Sequence, residues 1–263
     1  MSLHAKWRLR QIKAALLRRP AVCGVGETLD MLATTGMSIA RFGDGEVMLM
    51  NGKGIPFQDY SRQLAERLRD VAEDPPADCA IAFSRFWWYH DRLVQPHIEE
   101  YARKLVKTHG AAIDAMAATG RTYYDTAMTQ FYQSFKPGFD FAAMFASARR
   151  IWHGKDVLLV CGESVRSKLE HDIFDNVASM AVVDAPSMNA WSQYESIKEA
   201  VVSAASGRLV LAILGPTATV LAADLCRIGI RALDIGHIAK DYDAFLRKLP
   251  TDMAANVKFY MPD

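Results

Sequence analysis

Ser38-Ile39-Ala40-Arg41-Phe42-Gly43-Asp44-Gly45-Glu46 is a short apolar run that stops at a glycine, with two carboxylates one residue apart directly after it. The run predicts a buried strand over 38–42, and the glycine an abrupt exit from it. Read as an extended turn, the stretch sends Asp44 and Glu46 to the same side, because alternate residues of extended backbone share a face. Two such carboxylates suit a hard divalent cation: Mg2+ and Mn2+ take oxygen ligands and keep positions open for substrate phosphates. Arg41, just upstream, faces an anion in the same reading. Metal, anion site and sheet edge together point to chemistry on a phosphorylated ligand. The competing reading is a solvated Gly-Asp-Gly turn with Glu46 opening a helix, and the Asp-x-Glu tripeptide alone does not choose between them.

The same punctuation recurs downstream. Asp156-Val157-Leu158-Leu159-Val160-Cys161 ends at Gly162-Glu163. Leu209-Val210-Leu211-Ala212-Ile213-Leu214 ends at Gly215-Pro216-Thr217, where Thr217 is placed to cap a helix. Further strands are predicted over 79–83, 180–183 and 232–235, and helices over 60–72, 91–118, 141–150, 165–174, 193–206, 217–228 and 242–249. Several strands are continuously apolar rather than alternating, as strands covered on both faces are. Strand and helix alternate most cleanly from Asp156 onward, which predicts an α/β fold: a Rossmann-like, doubly wound, mostly parallel sheet with helices on both faces. Ligands of such sheets bind beyond the strand carboxyl ends, where glycines and helix N-termini favour phosphate.

At 263 residues, 51% of them hydrophobic, the chain has the material for one large core, read here as a single domain over 21–263. Lys plus Arg (31) nearly balances Asp plus Glu (30), which argues against a general nucleic-acid footprint. The four cysteines are scattered without a Cys-x-x-Cys, so neither a zinc site nor a disulfide framework is indicated, and a cytoplasmic location is expected. Residues 1–20 are too charged for a signal peptide, and no apolar run has the length of a transmembrane segment. Residues 1–20 instead predict a basic amphipathic helix. Such a helix docks on its own domain or on a sister subunit, making a homo-oligomer; the alternative is peripheral contact with an anionic membrane.

Other stretches bear on binding. Phe83-Ser84-Arg85-Phe86-Trp87-Trp88-Tyr89-His90 is dense in aromatics, which either fill the core or line the acceptor side of a site, with Arg85 gripping an anion. Tyr123-Tyr124-Asp125-Thr126 and Gln130-Phe131-Tyr132 carry the same ambiguity. Glu163, at a strand end, is a candidate general base; a salt bridge to Arg166 is its competing role. Gly24-Val25-Gly26-Glu27 lacks the third glycine and preceding strand of a dinucleotide fingerprint, and no nucleophile elbow or Walker A loop occurs.

Arg41-Phe42-Gly43-Asp44-Gly45-Glu46, followed by Gly52-Lys53-Gly54 and Phe57-Gln58, resembles the N-terminal signature of the GT-D-type glycosyltransferases. Gly162-Glu163, Arg166 and Asp172-Ile173-Phe174 resemble the family's central stretch. Gly215-Pro216-Thr217-Ala218-Thr219-Val220-Leu221, Asp224-Leu225 and Asp234-Ile235-Gly236-His237-Ile238 resemble its C-terminal block. The likeness implies a Rossmann-like fold and transfer of a hexose from a nucleotide-sugar donor, a UDP-hexose, to a glycan acceptor on protein or lipid. It implies that Asp44 and Glu46 bind Mn2+ or Mg2+ at the donor diphosphate. Arg41, Gly43, Gln58, Arg166, Gly215, Thr217 and His237 are then substrate-binding positions. Glu170-His171 stands where the family has Gly-Asn, and Ala239 where an acidic residue is usual, the next acid being Asp241. Two rivals remain at this stage: a metal-dependent phosphohydrolase, and a nucleotide-sugar-binding module without transfer activity.

Overall fold

The computed structural model describes residues 19–117, 120–163 and 169–260. The predicted helix at 1–20, save its last two residues, and Arg166 lie outside the described residues. Eight strands are present: β1 (Ala21–Val22), β2 (Ser38–Phe42), β3 (Cys79–Phe83), β4 (Thr122–Asp125), β5 (Asp156–Cys161), β6 (Ser179–Asp184), β7 (Leu209–Ile213) and β8 (Ala232–Asp234). The helices are α1 (Val25–Thr34), α2 (Asp44–Met50), α3 (Arg62–Glu73), α4 (Pro96–Met116), α5 (Phe131–Ser134), α6 (Phe141–Arg150), α7 (Tyr194–Ala204), α8 (Pro216–Arg227), α9 (Ile238–Leu246) and α10 (Met253–Tyr260).

The strands form one sheet in the order β1-β4-β3-β2-β8-β7-β5-β6, and every pairing is parallel. The continuous apolar runs are explained by burial on both faces. Ala40 and Phe42 of β2, Ile81 and Phe83 of β3, and Leu158 and Val160 of β5 pack into one cluster, beneath α3, α4, α7 and α8. The intervening residues, among them Ile39, Ala80, Leu159 and Leu211, pack into a second cluster with α1, α5, α6 and α9. Phe42 is fully enclosed against Phe83 with ring centroids 5.6 Å apart, so truncation to alanine is expected to cost about 3–5 kcal/mol.

This topology places a crevice between β2 and β8. β2 exits to α2 and α3 over one face, whereas β8 exits to α9 over the other. Neighbouring strands whose connections diverge leave an opening over the carboxyl edge. Arg41 therefore meets Asp234, Gly236 and His237 from the far end of the chain, and the start of α2 follows directly after it.

The structure departs from the sequence reading in several places. β4 is a strand although Thr122-Tyr123-Tyr124-Asp125 is half polar, and its pairing with β3 makes it one. β1 is only two residues long, too short for any periodicity to register. The extended turn read for Asp44 and Glu46 is instead the first turn of a helix over Asp44–Met50 whose N-cap is Gly43, two residues ahead of the helix start in the competing reading. Of the helix expected over 165–174, the described part from 169 onward is not helical; Asp172 Oδ1 instead accepts from Phe174 N–H in a turn. The last predicted helix begins four residues early, at Ile238, because β8 ends at Asp234 and α9 follows directly. Among the described residues no helix is long and apolar enough to cross a membrane.

Candidate active site

Arg41 is the centre of the crevice. Its Nε donates to Asp234 Oδ1 at 3.1 Å, and its Nη1 to Thr129 Oγ1 at 2.7 Å and to the Thr126 carbonyl at 3.3 Å. Thr219 of α8 donates to the Arg41 carbonyl at 2.8 Å and lies 3.3 Å from Asp234 Oδ2. Gly236 closes the cradle: its φ is +44°, and a Cβ there would fall 2.0 Å from Arg41 Nη2. Glycine is needed both for that conformation and to let the guanidinium pass. Four segments distant in sequence thus fix one cation in one orientation.

Asp44 and Glu46 occupy the first turn of α2, where residues two apart point different ways. The extended-turn geometry that aimed both carboxylates at one point is therefore replaced by two distinct environments. Glu46 is buried and curls back to accept the Gly43 N–H at 2.7 Å, as an acid at the third helical position does. Burial, and then the nearby Asp234 carboxyl, push its pKa up to about 7. Asp44 points outward, and its Oδ2 accepts from Tyr101 of α4 at 2.8 Å. Its Oδ1 has no hydrogen-bond partner among the described residues.

The remaining sequence candidates separate into groups. Gly215, with φ +55°, lies against the ring of Phe57, since a Cβ there would sit 2.8 Å from Cε2; this contact brings the Phe57-Gln58 block to the start of α8. Thr217 follows in the first turn of α8, fully buried, and its hydroxyl finds no partner among the described residues. Gln58 is buried and joins two loops: its Oε1 accepts from Trp191 N–H at 3.4 Å and its Nε2 donates to the Asp59 carbonyl at 3.1 Å. His237 faces Gln130, Nε2 to Nδ1 2.6 Å, and desolvation followed by the Arg41 charge holds its pKa down at about 3, so the imidazole is neutral. Glu163 stands exposed beyond β5, two strands from β8. Arg85 lies beyond β3, with its guanidinium 3.9 Å from Asp91 and over the Tyr89 ring.

Several residues of the site carried no clear signal of their own. Asp234 closes a three-residue strand, and burial raises its pKa despite the Arg41 partner. Thr129, Gln130 and Tyr101 sit in segments that read as aromatic patch or helix surface. Asp241, the acid that follows Ala239, is buried and accepts the N–H groups of Tyr132 (2.8 Å) and Gln133 (3.2 Å), so it caps α5 rather than facing the crevice. His171, at the other family departure, pairs with the buried Asp243 at 3.0 Å.

Among the described residues no three His, Cys, Asp or Glu side chains are grouped to hold a metal unaided. Mg2+ and Mn2+ in phosphate-handling sites need only one or two carboxylates, with substrate oxygens and water completing the shell. Asp44, with an unshared oxygen at the crevice mouth, fits that role. Burial is the larger cause of the raised Glu46 pKa; the smaller part comes from the Asp234 carboxyl, a like charge that a nearby divalent cation would offset.

A parallel sheet with an Arg-and-carboxylate cluster at the carboxyl ends of β2 and β8 defines an α/β protein whose candidate ligand site lies at that edge. The family model for the glycosyltransferase GT-D fold matches residues 39–261, and the chain belongs to that family. It is 35% identical over 243 residues to "Probable glycosyl transferase Gly" of Streptococcus gordonii, covering 87% of this chain and 33% of that protein. It is 32% identical over 233 residues to "Glycosyltransferase GlyD" of Streptococcus pneumoniae serotype 4, covering 84% of this chain and 27% of that one. The chain therefore spans a third or less of the length of these curated relatives. A solved structure described as a new glycosyltransferase (DUF1792) from Streptococcus sanguinis superimposes with a TM-score of 0.82 at 31% identity, covering 86% of this chain and 85% of that one. A second, described as the domain of unknown function 1792 with a distinct glycosyltransferase fold, gives 0.81 at 30% identity, covering 86% and 82%.

Proposed function

We propose that this chain is a metal-dependent hexosyltransferase that moves a hexose from a nucleotide-sugar donor, a UDP-hexose, to a glycan acceptor on protein or lipid in the cytoplasm. The observation that carries the reading is the meeting of three features at the β2/β8 crevice: the cradled Arg41 guanidinium, the outward Asp44 carboxylate and the partnerless Thr217 hydroxyl at the start of α8. Each suits a diphosphate or its counter-ion.

Glycosyl transfer expels a nucleoside diphosphate, and negative charge grows on the oxygen that leaves the sugar. Arg41 is held rigidly enough to meet that charge without reorganising. The amino end of α8, with Thr217, favours the same anion. Asp44, with Glu46 shaping the turn behind it, would hold Mn2+ or Mg2+, which would supply further charge neutralisation at the diphosphate. Glu46 keeps α2 in register through Gly43, so Asp44 is presented at a fixed height. His237, neutral and bonded to Gln130, adds no competing positive charge. Glu163 is the carboxylate on this sheet edge assigned to take the proton of the acceptor hydroxyl.

The test is ligand-detected NMR of the full chain with a nucleotide panel, with and without Mn2+, followed by incubation with labelled UDP-hexoses and candidate glycans. Metal-dependent UDP binding that Asp44→Asn removes, together with label appearing in glycan, is the expected result. Unaltered UDP and Mn2+ binding in that variant, or preference for a simple phosphate ester with release of phosphate, overturns it.

A further inference from the structure

A second cavity opens on the same edge of the sheet, beyond the carboxyl ends of β1, β4 and β3. It encloses about 320 Å3, at the small end of the range for small-molecule sites. Its polar groups are Arg85, Asp91, Asp125 and Glu27, and its apolar wall is built from Phe86, Phe135, Phe139 and Met144. Phe135 and Phe139 stack face to face at 4.1 Å, with Phe86 edge-on to Phe135. Gly24 and Gly26 leave the start of α1 without side chains over the opening.

Asp125 is the distinctive group. It is 1% exposed, and its Oδ1 accepts the N–H of Ala127 at 3.0 Å and of Arg85 at 3.4 Å. Its Oδ2 has no hydrogen-bond partner among the described residues, yet the side chain lines the cavity. A carboxyl group enclosed on all other sides, with this oxygen facing the cavity, offers a ligand hydroxyl an acceptor.

The charge pattern selects the ligand. Among the described residues three carboxyl groups share the cavity with one guanidinium, and Glu27 accepts the Gly24 N–H at 3.1 Å, so the start of α1 is shielded from anions. Phosphate and nucleotide are disfavoured here, in contrast to the crevice at β2/β8. A ligand with hydroxyl donors for Asp125, an acceptor for Arg85 and an apolar face for the phenylalanines meets every feature, and a neutral sugar ring has all three.

The two sites share a wall. The turn after β4 presents Asp125 to the cavity, while Thr126 and Thr129 of the same turn hold Arg41. The cavity lies one to three strand spacings from β2, on the order of 5–14 Å across the sheet. We infer that this cavity is a saccharide subsite that holds a sugar ring of the acceptor glycan while its reacting end extends to the crevice. The acceptor role rests on the donor reading above; the saccharide-binding claim does not.

Saturation-transfer NMR on the full chain with the methyl glycosides of glucose, galactose and N-acetylglucosamine, and phosphorus-31 line broadening with inorganic phosphate, test it. Gly26→Leu is the plug: a Cβ at Gly26 meets only Met144, 3.6 Å away, so the branch projects without backbone strain. Asp125→Asn removes the acceptor charge while keeping Oδ1. The inference expects at least one glycoside to bind the parent, and its affinity to fall by about tenfold or more in both variants, with UDP affinity of Gly26→Leu unchanged. Should Asp125→Asn fail to fold, Gly26→Leu decides alone. No glycoside binding, binding indifferent to the plug, or phosphate binding that the plug abolishes overturns the inference. Glycoside binding without any UDP binding leaves the subsite standing and removes the donor reading.

Discussion

Helix α8 has a carboxylate cluster at each end, and the two are built on opposite principles. Toward its carboxyl end, Asp224 takes Arg67 Nη2 and the Tyr194 hydroxyl at 2.6 Å each, Arg227 Nη1 at 2.9 Å and Lys198 Nζ at 3.4 Å. Burial alone would raise Asp224, but the Tyr194, Arg67 and Lys198 donors outweigh it and hold its pKa below the usual range. At the amino end, Asp234 and Glu46 share the neighbourhood of one guanidinium; both sit above the usual range, and the Thr217 hydroxyl has no partner. One carboxylate draws on three cationic side chains and a phenol, whereas the other two share a single guanidinium that does not offset their burial. A saturated cluster fixes three helices against each other. An unsaturated one is open to completion by a ligand, which is what the proposed donor site requires.

The largest expected effect breaks or keeps this contrast outright. Asp44→Asn should lower the transfer rate by about 100-fold or more at fixed Mn2+, with no change in melting temperature because Asp44 is exposed. Glu46→Gln should preserve the Gly43 hydrogen bond and weaken Mn2+ binding less than Asp44→Asn does, as measured by calorimetry. Asp224→Ala should do the reverse of both: about 3 kcal/mol lost in urea unfolding, with activity per folded molecule intact. A stable but inactive Asp224→Ala protein would erase the distinction between the two ends.

Asp241 supplies a third kind of buried acid, neither saturated with cations nor near a ligand. Burial pushes its pKa from 3.8 up to about 8, even though it caps α5. Between those values the folded chain keeps a proton that the unfolded chain releases. Stability from this group is therefore full below about pH 4 and declines as pH rises toward 8. Asp241→Asn has no such proton to lose. The stability difference between variant and parent should swing in the variant's favour by on the order of 5 kcal/mol from pH 4 to pH 8. A difference flat in pH shows that the two N–H groups keep Asp241 ionised.

Much of this arrangement could be read locally, and the unread part has a physical cause. β2, β3, β5 and β7 announce themselves because burial on both faces demands unbroken apolar runs. β4 does not, since Thr122 and Tyr124 face partly outward, and β1 has only Ala21 and Val22 to speak for it. Gly43 and Gly45 flag Asp44 and Glu46, but the helix that separates their directions is fixed by the Glu46–Gly43 hydrogen bond, which composition does not reveal. Arg41 was visible as a charge at a strand end. Its partner Asp234 lies 193 residues away, and only the sheet order brings them together. Tyr101 occupies an ordinary position on an amphipathic helix, and nothing within α4 marks it.

Thr217→Val separates the two ends of α8 at finer scale. The change is nearly isosteric and deletes a buried hydroxyl that bonds to nothing in the described structure. The variant should be more stable than the parent by about 1 kcal/mol in urea unfolding. Nucleotide affinity should fall by a few fold, on the order of 1 kcal/mol, if the hydroxyl turns to a phosphate oxygen on binding. A stability gain with no loss of affinity would make Thr217 a packing residue and move the unsaturated end of the comparison to Arg41 and Asp44 alone.

The smallest expected effect concerns Tyr101. Its hydroxyl donates to Asp44 Oδ2 at 2.8 Å from a side chain that is 47% exposed. Burial and then the Asp44 charge raise its pKa, so the phenol stays protonated and remains a donor at any working pH. A neutral donor on one carboxylate oxygen leaves the other for a cation and limits the rotamers Asp44 can take. Tyr101→Phe removes the bond and keeps the ring, so the fold should be indifferent. Apparent Mn2+ affinity should weaken by about two- to fivefold, the value of one partly exposed hydrogen bond of about 0.5–1 kcal/mol. The rate at saturating Mn2+ should be unchanged, because Tyr101 acts through Asp44 and touches no reacting atom. A fall in that rate with metal affinity intact would instead place Tyr101 against the substrate, and the unsaturated end of α8 would extend to α4.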